Sequence, residues 1–226
     1  MITPKDFQNH LRNLQLPAES RQCRQISLLS AAIAIGNNDL TTICLVYLKE
    51  QNVATTAVYE TILQSYLFLG FPRMIEAALT YNKVFGDNGQ VDDIEPISPD
   101  EAQTWYREGK ALCRKVYGRN YDRLKQRFLA MSPDLFRWMV LEGYGKVLSR
   151  PGLTPVEREL AEVAALIVDR RERQLISHVM GSLNVGASTE LLYQVNEDIR
   201  PLSGDDQYAA SRRIICDIEG KYAPDS

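Results

Sequence analysis

Apolar residues recur at helical spacing almost everywhere along the chain, and no run alternates at period two long enough to make a convincing strand. Stripes of that kind are buried by packing helix on helix, so the chain is predicted to be all-α. The helix starts are written in the residues. Thr3-Pro4-Lys5-Asp6, Ser98-Pro99-Asp100-Glu101 and Thr154-Pro155-Val156-Glu157 each place a hydroxyl cap before a proline, with a carboxylate three residues on. Ser132-Pro133-Asp134 is a related start. These signals predict helices near 4–14, 21–35, 39–51, 56–69, 72–84, 99–117, 120–130, 133–148, 155–169, 171–184, 188–197 and 205–219. The helix from 133 should carry Leu135, Trp138, Met139, Tyr144 and Val147 or Leu148 on one stripe. That assigns Trp138 and Tyr144 to the core and leaves Gly143 and Gly145 to admit a close neighbour or end the helix early.

With 226 residues, 45% of them apolar and 24% charged, the chain can bury a substantial core and is neither disordered nor fibrous. Its formal net charge of −3 supplies no field that would draw it to nucleic acid or anionic lipid. The one basic stretch, with Arg119, Arg123, Lys125 and Arg127 interleaved with Tyr121, Leu124 and Phe128, reads as a solvated helix face. The first fifteen residues lack the apolar stretch of a signal peptide, and no apolar run approaches the roughly 18 residues of a membrane span. A cytoplasmic location is expected, with no membrane and no nucleic-acid partner. Cys23, Cys44, Cys113 and Cys216 form no C-x-x-C and have no histidine at metal spacing, so they read as small buried hydrophobes. No metal and no cofactor are expected.

The polar, turn-rich stretch 86–99 reads as a linker between an amino-terminal helical unit, 1–85, and a second unit, 100–226. The halves carry a weak internal repeat: Gln25 to Ile33 runs parallel to Glu159 to Ile167, and further helices follow near Leu40 and Leu175 and near Thr56 and Ser188.

His10 lies in a polar helix and reads as a surface residue. His178 falls on the stripe Leu175, His178, Gly181 or Ser182 and Val185, the face its helix should bury, and a buried imidazole needs a partner. If helices 155–169 and 171–184 pair antiparallel around Asp169-Arg170, Glu159 lies level with His178. A carboxylate there raises the imidazole's pKa and fixes its tautomer, as acid–base chemistry requires; a structural buried ion pair has the same pattern.

The run Gly143 to Pro155, with Arg150-Pro151-Gly152-Leu153-Thr154 inside it, is followed by Glu157-Arg158-Glu159-Leu160, by Gln174-Leu175 and by His178 to Ser188. Together these resemble the carboxymuconolactone decarboxylase family. Gly109 to Gly118 and the first-half segment Tyr66 to Pro72, with its Gly70-Phe71-Pro72, support the likeness, which spans most of residues 21–200. The resemblance implies an alkylhydroperoxidase D-like helical bundle, here two degenerate tandem units, assembled as a homo-oligomer, a trimer or dimer. It also implies that His178 takes part in releasing carbon dioxide from a carboxylated lactone. In the family's redox branch the position of Glu159 serves a proton relay.

The departures restrict that reading. The redox branch places two cysteines where this chain has Arg171 and Gln174, so disulfide-based peroxide reduction is disfavoured. The overlay puts Ile43 where the first half would carry its histidine and Gln25 at the glutamate position, so that half reads as degenerate. The second half has Arg200-Pro201-Leu202 after its third helix instead of Gly-Phe-Pro, and is expected to borrow that element. Three functions remain open: a cofactor-free lyase on a small carboxylated lactone or related acid, a peroxiredoxin-type antioxidant, and a non-catalytic oligomeric binding protein. For the lyase, His178 and Glu159 are the catalytic candidates, while Arg150, Arg158 and Asn184 are the substrate-binding ones.

Overall fold

The computed structural model describes residues 2–86 and 95–222. Of the expected linker, residues 87–94 lie outside the described residues. The described chain is a bundle of helices with no strand among those residues: α1 (Pro4–Asn13), α2 (Arg21–Ile35), α3 (Asn38–Glu50), α4 (Thr55–Phe85), α5 (Pro99–Tyr117), α6 (Tyr121–Met131), α7 (Pro133–Trp138), α8 (Pro155–Val168), α9 (Glu172–Val185), α10 (Thr189–Asp198), α11 (Arg200–Ser203) and α12 (Asp205–Tyr222). Thr3, Ser98, Ser132 and Thr154 each cap a helix whose first residue is proline, and Ser98–Glu101 and Thr154–Glu157 close full capping boxes. Long α4 is two helices end to end. Gly70, at φ 81° and ψ 163°, breaks it where the sequence placed the gap, and Pro72 supplies the first turn of the second part without a missing amide donor.

The centre of the molecule is the pair α2 and α8. Every residue from Arg24 to Ala34 and from Glu157 to Ile167 is buried, so both helices are covered all round. The main core joins Leu28, Leu45 and Val58 of the first half to Leu160, Leu175 and Ile215 of the second. At roughly 1.5–3 kcal/mol for each large apolar side chain removed from water, burial across this seam ties the halves together. A second core forms where α5 crosses the segment after α7 and holds Cys113, Val116, Phe136, Val140 and Tyr144.

That segment, Met139–Leu148, continues α7 as a π-helix. The changed winding shifts the phase of the stripe, so Phe136, Val140, Tyr144 and Leu148 face inward while Trp138, expected in the core, is 62% exposed. Gly109 and Gly145 mark the crossing. A Cβ on Gly109 would lie 2.6 Å from the Gly145 nitrogen, and one on Gly145 would lie 2.6 Å from the Trp105 carbonyl carbon. Gly143 has open space around it and serves no such contact.

Left-handed backbone positions recur at a constant spacing. Gly36 and Arg170, Asn52 and Gly186, and Gly70 and Gly204 are each 134 residues apart, and Gly204 adopts φ 82° and ψ 161°, nearly the values of Gly70. Buried arginine contacts follow the same spacing. Arg24 of α2 forks onto Asp198 of α10 at 2.6 and 2.7 Å, while Arg158 of α8 donates to Gln64 of α4 at 3.0 Å. At this spacing buried Cys44 falls at the position of His178, one residue beyond the Ile43 of the sequence overlay. At the same spacing Gly204, just beyond Arg200-Pro201-Leu202, falls at the position of Gly70.

Candidate functional site

The site is built on α8 and α9. The capping box of Thr154 and Glu157 fixes the start of α8, with the Thr154 amide donating to Glu157 Oε2 at 2.7 Å, and the tight turn through Arg170 at φ 58° folds α9 back along it. Glu159 and His178 therefore meet. His178 Nδ1 donates to Glu159 Oε2 at 3.0 Å, and both side chains are buried. Ser182 Oγ donates to the His178 carbonyl at 2.8 Å, and Phe68 of α4 sets its ring edge-to-face against the imidazole at 5.2 Å. That aromatic comes from α4, two residues before Gly70. Gly181 makes room for the pair, since a Cβ there would lie 2.5 Å from Glu159 Oε2 and 2.8 Å from Val116 Cγ1.

A third residue completes the cluster. Glu162, one turn beyond Glu159 on α8, is 1% exposed and brings Oε2 to 2.8 Å from His178 Nδ1. One N–H cannot serve two carboxylates equally. The proton points to Glu159, and both oxygens of Glu162 are left without a hydrogen-bond donor. Burial disfavours an imidazolium, but Glu159 and Glu162 outweigh it and push His178 up to about 10. Burial, joined by repulsion from Glu159, pushes Glu162 up to about 7. His178 is thus held as a cation at neutral pH, and the group that titrates there is Glu162. The sequence reading missed it because a carboxylate inside an apolar helix looks like a solvated one; its spacing of three from Glu159 was the available signal.

The other site candidates lie elsewhere in the structure. Arg150 and Arg158 share Glu60 of α4: Arg150 donates to it from Nε at 3.0 Å and NH2 at 2.9 Å, and Arg158 donates from NH2 at 3.0 Å. Arg158 is fully buried and also donates to the Arg150 carbonyl at 2.9 Å, so it braces the loop before α8, whereas Arg150 stays half-exposed. Asn184 does not join His178. Its Nδ2 donates to the Val116 carbonyl at 2.7 Å at the end of α5, and its Oδ1 accepts from Tyr222 at 3.2 Å. His10, expected on the surface, is half-buried and donates from Nε2 to the Asp198 carbonyl at 2.7 Å.

The space beside the cluster is small. A cavity of about 10 Å³ touches Glu159 and Arg158, and His178 is only 7% exposed. A groove of about 780 Å³ runs along the outer side of α9 and is lined by Tyr117, Arg123, Arg127, Met180 and Asn184. Two arginines of the basic stretch thus line a concavity. Tyr117 also stacks edge-to-face on Tyr144 at 6.0 Å. Cys23, Cys44 and Cys113 are not activated thiols. Burial, with Glu159 nearby, pushes Cys113 up to about 12, and burial with Glu157 nearby pushes Cys23 up to about 11. Cys44, also buried, is raised as well.

An all-α bundle carrying a buried histidine between two carboxylates defines the class. Residues 133–215 match the profile of the carboxymuconolactone decarboxylase family. It is similar to peroxisomal protein 2 of Schizosaccharomyces pombe, 30% identical over 139 residues that cover 58% of this chain and 61% of that protein. The chain therefore spans less than two thirds of the length of that relative. No helix among the described residues is long and apolar enough to cross a membrane.

Proposed function

We propose that the chain is a carboxymuconolactone decarboxylase-like lyase that removes carbon dioxide from a small carboxylated lactone or related acid, with His178 handling the proton. The observation that supports this best is the asymmetry of the imidazole: two buried carboxylates face Nδ1, while no described residue hydrogen-bonds Nε2. In the reaction the bond from the ring carbon to the carboxylate carbon breaks, carbon dioxide leaves, and the electron pair remains as an enolate that takes up a proton. An imidazolium meets that developing charge and supplies the proton from Nε2, with Glu159 orienting the ring. Arg123 and Arg127 in the groove hold the substrate carboxylate. Tyr117 lines the groove and packs on Tyr144, and its movement is the step we assign to admitting the substrate.

We read residues 21–85 and 155–222 as two copies of one unit, the first without its acid–base residues, and expect the chain to assemble with itself. A cytoplasmic location is the working assignment; the peroxisomal name of the fission-yeast relative makes imaging of the tagged chain the check on it. The packing around His178 favours a second reading, a non-catalytic protein that binds a small acid in the groove. The deciding experiment follows the ultraviolet loss of 4-carboxymuconolactone with carbon dioxide detection, in wild type, His178→Ala and Arg127→Ala matched for folding and oligomer size. The lyase reading expects turnover to fall by about 10²-fold or more in His178→Ala, and KM to rise in Arg127→Ala. No turnover in wild type, with saturable binding of the acid lost in Arg127→Ala, would select the binding protein.

A further inference from the structure

We propose that Glu159, Glu162 and His178 form a binding site for one first-row divalent metal ion. The three donor atoms lie within 4.8 Å of one another on two adjacent helices, and all three residues are buried. Neighbouring ligands of an octahedral ion with bonds of about 2.1 Å sit roughly 3.0 Å apart. His178 Nδ1 is 3.0 Å from one glutamate Oε2 and 2.8 Å from the other, which matches two such edges. The independent observation is Glu162. Both its oxygens are buried and lack any hydrogen-bond donor, an arrangement that costs free energy and that a cation would relieve.

The repeat in the backbone supplies an internal control. At the spacing of 134, the counterparts of Glu159, Glu162 and His178 are Gln25, Leu28 and Cys44, all buried in the same helical setting. The fold thus accommodates neutral residues at these places, and three ionisable groups in the second half are not a packing requirement. Arg158 acts on Glu162 only as a charge at a distance, since its guanidinium donates its hydrogen bonds to Glu60 and Gln64 of α4.

Charge balance favours the exchange. An ion of charge +2 against two carboxylates and a neutral imidazole leaves the dry cluster neutral. Binding displaces the Nδ1 proton of His178 and whatever proton Glu162 carries, so one to two protons leave for solvent. Two carboxylate oxygens with one imidazole nitrogen suit manganese, ferrous iron or zinc better than calcium. The inference is read from occupancy whether or not the chain turns anything over; in the ion-loaded chain His178 is neutral, so the imidazolium chemistry proposed above belongs to the ion-free chain.

The test uses the full chain, stripped with a chelator and incubated with Mn²⁺ or Zn²⁺. Calorimetry and elemental analysis after desalting should give one ion per chain, with affinity rising with pH as protons are released. Glu162→Gln should weaken binding by about 100-fold or more, beyond what loss of an outer-shell contact causes. Should that variant fail to fold, the Mn²⁺-loaded wild type decides: its electron paramagnetic resonance should carry coupling to one imidazole nitrogen, retained in His10→Gln. No ion retained, equal affinity in wild type and Glu162→Gln, or bound Mn²⁺ without nitrogen coupling would overturn the assignment.

Discussion

Replacing Glu162 by glutamine should change how stability depends on pH. In the folded chain Glu162 keeps its proton until about 7, whereas in the unfolded chain a glutamate loses it near 4.5. Between those values the folded state binds more protons than the unfolded one, so this residue's contribution to stability falls as pH rises from 4.5 to 7. At 1.36 kcal/mol for each pKa unit, the full fall is about 3 kcal/mol. His178 acts in the same direction in a later window: its raised pKa gives stability that is complete below 6.5 and lost as pH rises through about 10. Urea unfolding of the chelator-treated protein from pH 4 to 8 should therefore show wild type losing about 3 kcal/mol relative to Glu162→Gln. For a chain of this size that is a shift of roughly 6–12 °C in the difference between their melting temperatures. Parallel curves for the two proteins across that range would refute the reasoning, because they would place Glu162 in an environment no different from water.

Other consequences are as specific. Gly181→Ala should drive its methyl into the Glu159 carboxylate and Val116, costing about 1–3 kcal/mol by thermal melting and lowering the pKa of His178 as Glu159 is displaced. Arg24→Ala should cost about 3–5 kcal/mol in urea unfolding, because it leaves the buried Asp198 carboxylate without its partner. Iodoacetamide at pH 8 should label exposed Cys216 first and leave Cys23, Cys44 and Cys113 unmodified until denaturant is added. Rapid labelling of Cys113 in the native protein would reopen the thiol-based antioxidant reading.

Most helix ends were legible in the residues because the signal is local: a hydroxyl cap, a proline and a returning carboxylate act within four positions. Trp138 was misplaced for an equally local reason that sequence does not carry, the change from α to π winding after it. The pairing of Glu159 with His178 could be reasoned from two helices and a short turn. Glu162 was overlooked because α8 is buried on every side, so that a carboxylate in its apolar run faces protein where a solvated face was assumed. What the first half contributes was out of reach. Phe68 on the imidazole, and Glu60 and Gln64 on Arg158, come from about 90 to 110 residues away and arrive only when α4 packs across α8. Arg123 and Arg127 line a groove because α6 and the end of α5 lie beside α9, another placement that local sequence does not carry.

The central claim is that His178 is held as a cation between two buried carboxylates, and ring ¹⁵N shifts of the chelator-treated protein test it most directly. The chain has two histidines, so His10→Gln leaves His178 alone in the spectrum. The account predicts that both ring nitrogens stay protonated from pH 5 to pH 8. A midpoint near 6.5 or below would contradict it, placing a neutral imidazole in the site and removing the basis for the proton chemistry.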